Sequence, residues 1–355
     1  MNTINLDISV WVALALGLVL VALLWRARRH YLALPEIGPV PNAEGGSSAP
    51  SLDCMVVIPA RNEEGNIGSA VRSLPPDSVI VVDDFSDDKT AAEAREAGAG
   101  VLSAPKPADG AVGKSNACME GARVLTSRWI LFADADTRFK PGAVNALVAA
   151  ADAGQIAFLS VYLKPEFQTL SESAIAPYGV ALYFCGVNPR ADPSSAFNGQ
   201  CVLVKRDAYK FVGGHRAVLG YICEDVKMAG LAQRHRLKFA SARAPKLGSV
   251  RIYPADFARN ACRFVLVKWW RGAWVALTAA AWALWLPALV FLIVRGQFAP
   301  ALAWLAVPSV LLGAWYGWAR AILAPIGIYA ILPRLLHGAI GAMTNRHFDW
   351  KGRVI

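Results

Sequence analysis

The sequence predicts an α/β protein: a mostly parallel sheet with helices on both faces, flanked by apolar helices long enough to cross a membrane. Three observations predict it. Between about residues 53 and 260, short β-rich runs alternate with helix-like runs, the pattern of strand–helix–strand units. Stretches near both ends carry no charge over the length of a bilayer span. The 355 residues are 55% hydrophobic and 17% charged, with mean hydropathy +0.37, too apolar for an ordinary soluble enzyme.

The N-terminal element comes first. No residue between Asp7 and Arg26 is charged, and "ISVWVALALGLVLVALLW" is followed at once by "RARRH". A cleavable signal peptide has its positive charges before the apolar run and small residues after it. The reversed order here predicts a transmembrane anchor over residues 1–30 with its C-terminal side in the cytoplasm. The turn-rich "PEIGPVPNAEGGSSAPS" then reads as a linker over 31–52.

The central elements follow in pairs. "CMVVIPA" leads into "NEEGNIGSAVRSL", "SVIVVDD" into "FSDDKTAAEAREAG", "VLSAP" towards "GKSNACMEGARVLT", and "RWILFADAD" into a helix near Pro141. Sheets of this kind bind ligands outside the carboxyl ends of their strands. Those ends carry Pro59 to Glu64, Asp83 with Asp84, and Asp134 with Asp136. In an extended chain alternate side chains share a face, so Asp134 and Asp136 are expected to converge. Two adjacent carboxylates repel unless a cation lies near, and a hard divalent ion with oxygen ligands is one solution. The plainer alternative is that the aspartates start a turn and cap the helix after Pro141. Three consecutive polar strand ends weigh against three unrelated turns. No G-x-G-x-x-G follows the first strand and no P-loop is present, so neither a dinucleotide fold nor a P-loop NTPase is supported. Gly113 and Lys114 form a turn before a helix, which alone more often caps than binds phosphate.

Further on, "AFNGQCVLVKRDAYKFVGGH" leaves a strand through Gly213 and Gly214, and Glu224 and Asp225 open the helical run "DVKMAGLAQRH". Acids there serve either the helix dipole or a site at the strand ends. From Arg243 to Arg271, seven basic residues face one acid, Asp256. Lys268 and Arg271 fit positive-inside charge, whereas Arg251, Arg259 and Arg263 are placed to face a diphosphate. The net charge of +10 and pI near 9.4 suit an anionic membrane face or phosphate-bearing substrates. No nucleic-acid partner is expected. Six cysteines without C-x-x-C spacing read as reduced thiols. Residues 271–320 read as a transmembrane hairpin turning at "RGQFAP". Residues 321–355, interrupted by Pro325, Pro333 and Arg334, read as interfacial or re-entrant helices and a cytoplasmic tail.

Taken in order, "VVIPARNEE", "VVDDFSDDKT", "GKSNAC", "FADAD", "FNGQCVLVKRDAY…VGGH", "CEDV" and "RIY" resemble the inverting family-2 glycosyltransferases of GT-A fold. The flanking spans and the terminal "WKGR" resemble membrane-bound members that glycosylate lipids, such as hopanoid-associated and carotenoid glycosyltransferases. The resemblance implies a nucleotide-diphospho-sugar transferase domain over 53–270 on the cytoplasmic face of the inner (plasma) membrane. It implies a nucleoside pocket lined by Pro59, Ala60, Arg61, Asn62 and Glu63, with Asp84 and Asp83 on base or ribose and Lys114 near the nucleotide. It implies Mg²⁺ or Mn²⁺ on Asp134 and Asp136, the latter the stronger ligand, and Asp225 as general base. The donor would be a nucleotide sugar and the acceptor a membrane lipid hydroxyl. The chain departs from the family's (Q/R)-x-x-R-W motif: "RNACRF" has other spacing and Phe264 in place of Trp. That leaves Arg251 among the candidates for the diphosphate.

Three other readings compete: a polyprenyl-phosphate acceptor, a D-x-D-x-T phosphatase and a non-enzymatic membrane scaffold. Phosphatases of that type place their nucleophilic Asp on the first strand, whereas two strand–helix units precede "ADADT" here. A scaffold has no use for Asp84, Asp136 and Asp225 together.

Overall fold

The computed structural model describes residues 8–40, 53–107, 112–221, 223–253, 280–316, 323–324, 327, 329–333, 349–350 and 353–354. The chain divides into two compact units that interleave along the sequence.

One unit draws its described residues from Leu34–Glu166, Ala191–Arg251 and Phe348–Ile355. Strands β1 (Cys54–Ala60), β2 (Val79–Asp83), β3 (Gly100–Ser103) and β4 (Trp129–Ala133) lie side by side in the order β3-β2-β1-β4, all parallel. The sheet continues through β8 (Cys201–Lys205), β6 (Phe158–Tyr162) and β9 (Phe239–Arg243), with β8 antiparallel to both neighbours. The mostly parallel sheet expected from the sequence is therefore present, with one antiparallel strand inserted. A second sheet joins β5 (Thr137–Phe139), β10 (Gly248–Arg251) and β7 (Lys164–Glu166).

Alternation of side chains sorts each strand onto two cores. Val56, Ile58, Val81, Leu131 and Leu203 join α2 (Ile67–Arg72), α3 (Thr90–Glu96) and α5 (Ala143–Ala153) on one face. Val57, Val82, Ile130, Phe132 and Val202 join α4 (Gly113–Arg123), α7 (Arg206–Phe211) and α8 (Glu224–Arg234) on the other. Burial on both faces is why these strands read as continuous apolar runs. Residues 34–37, expected within a linker, run beside β9: Ile37 N–H donates to Arg243 O at 2.9 Å, and Arg243 Nη1 meets Glu36 Oε2 at 2.5 Å.

The other unit draws its described residues from Met1–Ala33, Phe167–Arg190 and Ile252–His347. Helix α1 (Ile8–Leu32) contains Val10–Leu32, 23 residues of mean hydropathy 2.2 and the one described helix long and apolar enough to cross a membrane. It packs with α6 (Leu170–Gly186), α9 (Trp285–Val294) and α10 (Phe298–Tyr316). Sequence analysis did not single out α6. Its start is a capping box, in which Thr169 Oγ1 accepts from Glu172 N at 3.1 Å while Glu172 Oε2 accepts from Gln168 N at 2.7 Å. At its end, Arg26 Nε donates to Cys185 O at 3.1 Å and His30 Nδ1 donates to Phe184 O at 2.7 Å. Two side chains of α1 thus satisfy carbonyls that the last turn of α6 leaves open. The expected first arm of the 271–320 hairpin, Arg259, Arg263, Lys268, Arg271, Phe264 and Arg320 lie outside the described residues, as does most of 321–348.

Helix α4 lies directly on the sheet because position 121 has no side chain: a Cβ there would come within 2.5 Å of Val57 Cγ1 and 3.0 Å of Val82 Cγ2. Gly121→Val is expected to cost about 1–3 kcal/mol by overpacking. A melting temperature in detergent unchanged from wild type would contradict this contact.

Candidate active site

The carboxyl ends of β1 and β2 leave the sheet as two loops tied to each other. Arg61 Nη1 donates to the carbonyls of Asp84 (2.7 Å) and Phe85 (3.0 Å). Asn62 takes φ +52, which asparagine tolerates, and its Oδ1 accepts from Asp87 N at 2.9 Å while its N–H donates to Ser86 Oγ at 3.0 Å. Glu63 N–H donates to Thr90 Oγ1 at 2.7 Å. Ala60 and Asp83 are register partners at the strand ends, and Pro59 lies one residue earlier. Asp84 is buried, and Asp83 Oδ1 is buried without a hydrogen-bond partner among the described residues. A carboxylate oxygen in that state calls for a donor from water, an ion or a ligand.

The D-x-D pair is not on extended chain. Strand β4 ends at Ala133, and Asp134 O then accepts from Thr137 N at 3.1 Å and from Thr137 Oγ1 at 2.7 Å, closing a turn. The convergence expected from strand alternation is therefore corrected: turn geometry sets the directions of the two carboxylates. Beside them, Arg251 N–H donates to Asp136 O at 3.2 Å, so the backbone of β10 brings Arg251 to the D-x-D turn.

Lys114, in the first turn of α4, joins this turn to the start of α8. Its Nζ lies 2.6 Å from Asp134 Oδ1, 3.2 Å from Gly199 O and 3.9 Å from Glu224 Oε1. Burial alone would push the ammonium's pKa down, but the charges of Asp134 and Glu224 outweigh it and raise the pKa above the ordinary lysine value. Asp225 is oriented by two backbone donors, Gly199 N to Oδ2 and Val226 N to Oδ1, both at 2.8 Å. Gly199 passes so close to α8 that a Cβ would sit 3.4 Å from Asp225 Cβ and Glu224 Oε1.

One pocket is lined by Pro59, Lys114, Asp134, Gly199, Glu224 and Asp225, with Phe132, Phe197, Tyr209 and His215 as its apolar and aromatic wall. It brings together Pro59, Lys114, Asp134 and Asp225 of the site residues singled out in the sequence. Arg61 to Glu63 lie in the loop after β1, and Asp83 ends β2 beside it. Sequence reasoning left Glu224 open between the helix dipole and the site and gave no role to Gly199 or His215, although "FNGQ" and "GGH" contain them. Among the described residues no three His, Cys, Asp or Glu side chains gather as metal ligands. Asp134 and Asp136 therefore supply at most two carboxylates, a donor set that fits Mg²⁺ or Mn²⁺ when phosphate oxygens complete the shell.

Residues 55–211 match the family model Glycosyl transferase family 2. That match covers a little under half of the chain. The match spans every strand from β1 to β8 and ends before His215, Glu224, Asp225 and Arg251. Among curated relatives, the 4,4'-diaponeurosporenoate glycosyltransferase of Staphylococcus aureus (strain MRSA252) is 33% identical over 181 residues, 48% of each chain. That of Staphylococcus haemolyticus (strain JCSC1435) is 31% identical over 228 residues, 57% of each. The chain thus spans about half the length of the curated relatives it matches. A mannosyltransferase from Pyrobaculum calidifontis, solved with GDP-Man and Mn²⁺, shares the fold with TM-score 0.51 and 17% identity, covering 95% of this chain and 99% of that one. The fold is a mixed α/β, GT-A-like one.

His215 gives the domain an acid-sensitive core. Burial, then the nearby Lys114 charge, lower its pKa from 6.5 to about 3. The folded state thus resists a proton that the unfolded chain takes up below about pH 6.5. The stability from the neutral imidazole is complete above that pH and is lost progressively as pH falls towards 3. Melting temperature should drop between pH 7.5 and 5, and drop less in His215→Phe. Equal slopes for the two proteins would contradict the burial of a neutral imidazole.

Proposed function

We propose that this protein is an inverting glycosyltransferase that moves a sugar from a nucleotide sugar to a lipid acceptor at the cytoplasmic membrane face. The observation that carries the reading is the pocket that gathers Lys114, Asp134, Glu224 and Asp225 at the strand ends of a family 2 domain. Transfer needs groups for a departing diphosphate and, some ångströms away, a carboxylate for the attacking hydroxyl, and this pocket offers both kinds.

In this reading the tied loops of Arg61 to Glu63 and Ser86 to Thr90 hold the nucleoside, and Asp83 accepts from a ribose hydroxyl or base N–H. Lys114 faces the diphosphate. Asp136, with Asp134, would hold the divalent ion, which supplies Lewis-acid stabilisation of the leaving diphosphate when bound. Asp225, oriented by the Gly199 and Val226 amides, takes the proton of the acceptor hydroxyl as it attacks. A single displacement of this kind inverts the anomeric carbon without a covalent enzyme intermediate.

The acceptor side rests on the apolar character of the chain and on relatives whose name denotes diaponeurosporenoate. Helix α1 anchors the protein in the inner membrane with "RARRH" inside, and the segment on either side of Gln297 forms further spans. The residues 53–270 then face the cytoplasm, where nucleotide sugars are found.

Asp136→Asn should keep the fold and lower turnover about a thousandfold or more. Full activity in EDTA-treated, metal-free buffer would remove the metal from the mechanism. Asp225→Asn should abolish transfer to lipid while nucleotide-sugar binding persists. Near-normal transfer by that mutant would instead indicate an acceptor that is already anionic, a carboxylate or a polyprenyl phosphate, which needs no base. In intact cells a membrane-impermeant thiol reagent should label a cysteine placed at Gln297 and not one placed at Ser86. The reverse pattern would overturn the orientation.

A further inference from the structure

The pocket contains a neutral imidazole for which the proposed chemistry has no use. His215 is 8% exposed and lines the pocket together with Lys114, Asp134 and Asp225. Its surroundings are built around it. Gly213 and Gly214 precede it at φ +86 and +54, and a Cβ on Gly214 would lie 2.6 Å from the Tyr209 ring. The imidazole meets Phe132 edge-on, with ring centroids 4.7 Å apart.

Hydrogen bonding decides which nitrogen carries the proton. The Tyr209 hydroxyl oxygen accepts from the backbone N–H of His215 at 3.0 Å and lies 2.9 Å from His215 Nδ1. Among the described residues the hydroxyl proton has no other acceptor, so it goes to Nδ1. The ring proton is then on Nε2. Nε2–H has no partner among the described residues, on a ring that forms part of the pocket wall. Asp134, Glu224 and Asp225 can only accept when ionised, and the Lys114 ammonium already serves two carboxylates and a carbonyl. Nε2–H is therefore an uncommitted neutral donor of this pocket.

We infer that His215 is a binding residue for the transferred sugar, its Nε2–H donating to a sugar oxygen. The inference rests on the proposed glycosyl transfer. In an in-line displacement the anomeric carbon lies between the leaving phosphate and the attacking oxygen. In the proposed transfer the sugar ring lies between a phosphate held near Lys114 and Asp134 and a hydroxyl near Asp225, and these groups line the same pocket as His215. Sugar hydroxyls donate as well as accept, so Glu224 and His215 form a matched acceptor and donor for them.

The test uses the full-length protein in detergent and isothermal titration with UDP, UDP-glucose, GDP and GDP-mannose. Wild type should bind one pair, with the sugar nucleotide gaining affinity over the diphosphate alone. His215→Phe should keep the diphosphate Kd within about twofold and weaken the sugar nucleotide roughly 5- to 20-fold, one hydrogen bond to a buried donor. His215→Gln, which retains an N–H donor, should recover most of that loss. If His215→Phe does not fold, Tyr209→Phe serves, since without the hydroxyl the ring proton is free to move to Nδ1 and the sugar nucleotide should weaken in the same selective way. An unchanged ratio between sugar nucleotide and diphosphate in these variants overturns the role of His215. So does a loss that His215→Gln leaves unrepaired while diphosphate binding stays normal. Wild type that binds none of the four nucleotides overturns the glycosyl-transfer reading itself.

Discussion

The central sheet is covered on both faces, and this constraint governs where everything else goes. Strands such as β1 and β4 send alternate residues into two separate cores, so no strand interior has room for a charge. Charged groups in the strands of this sheet are confined to the strand ends. Pro59 to Glu63, Asp83 with Asp84, and Asp134 with Asp136 lie at three such ends, and the loops leaving them supply most of the site.

Charges gathered at the edge of an apolar core need compensation, and Lys114 provides it. Its ammonium lies within 4 Å of both Asp134 and Glu224, so a cation on α4 neutralises acids from the D-x-D turn and from α8. Ion pairs in partly buried surroundings do little for net stability, because desolvation offsets much of the attraction. Their use here is geometric: three elements far apart in sequence are held in one register around the pocket. The same low-dielectric setting keeps His215 neutral, so imidazole and ammonium coexist at the wall of one cavity.

The apolar unit shows a related economy. α6 lies between β7 and β8 in the chain, yet it belongs with α1, α9 and α10. Its last-turn carbonyls are met by Arg26 and His30, residues of the basic cluster that closes α1. Charges that read in the sequence only as a membrane-orientation signal thus also cap a helix. Gly17 makes the α1–α10 contact close, since a Cβ there would overlap the Trp304 indole.

Much of this was legible in the residues themselves. Strand–helix alternation is a local pattern of period, and it announced the α/β sheet, its acidic strand ends and the helix that begins at Glu224. Uncharged length announced α1. The sequence marked Asp134 by its place at a strand end, whereas Lys114 and the role of Asp225 came from the resemblance to family-2 glycosyltransferases. What needed the tertiary structure were relations between segments that no spacing encodes. The antiparallel insertion of β8 and the turn that redirects Asp134 and Asp136 depend on hydrogen bonds made to other strands or closed locally after the strand stops. The membership of α6 in the apolar unit depends on carbonyls that only a folded α1 can reach. The proton on His215 depends on a tyrosine hydroxyl six residues away brought back by two glycines at positive φ. A one-dimensional pattern reports which face a side chain takes on its own element, whereas its partner, its charge state and its tautomer are set by what the fold places opposite it.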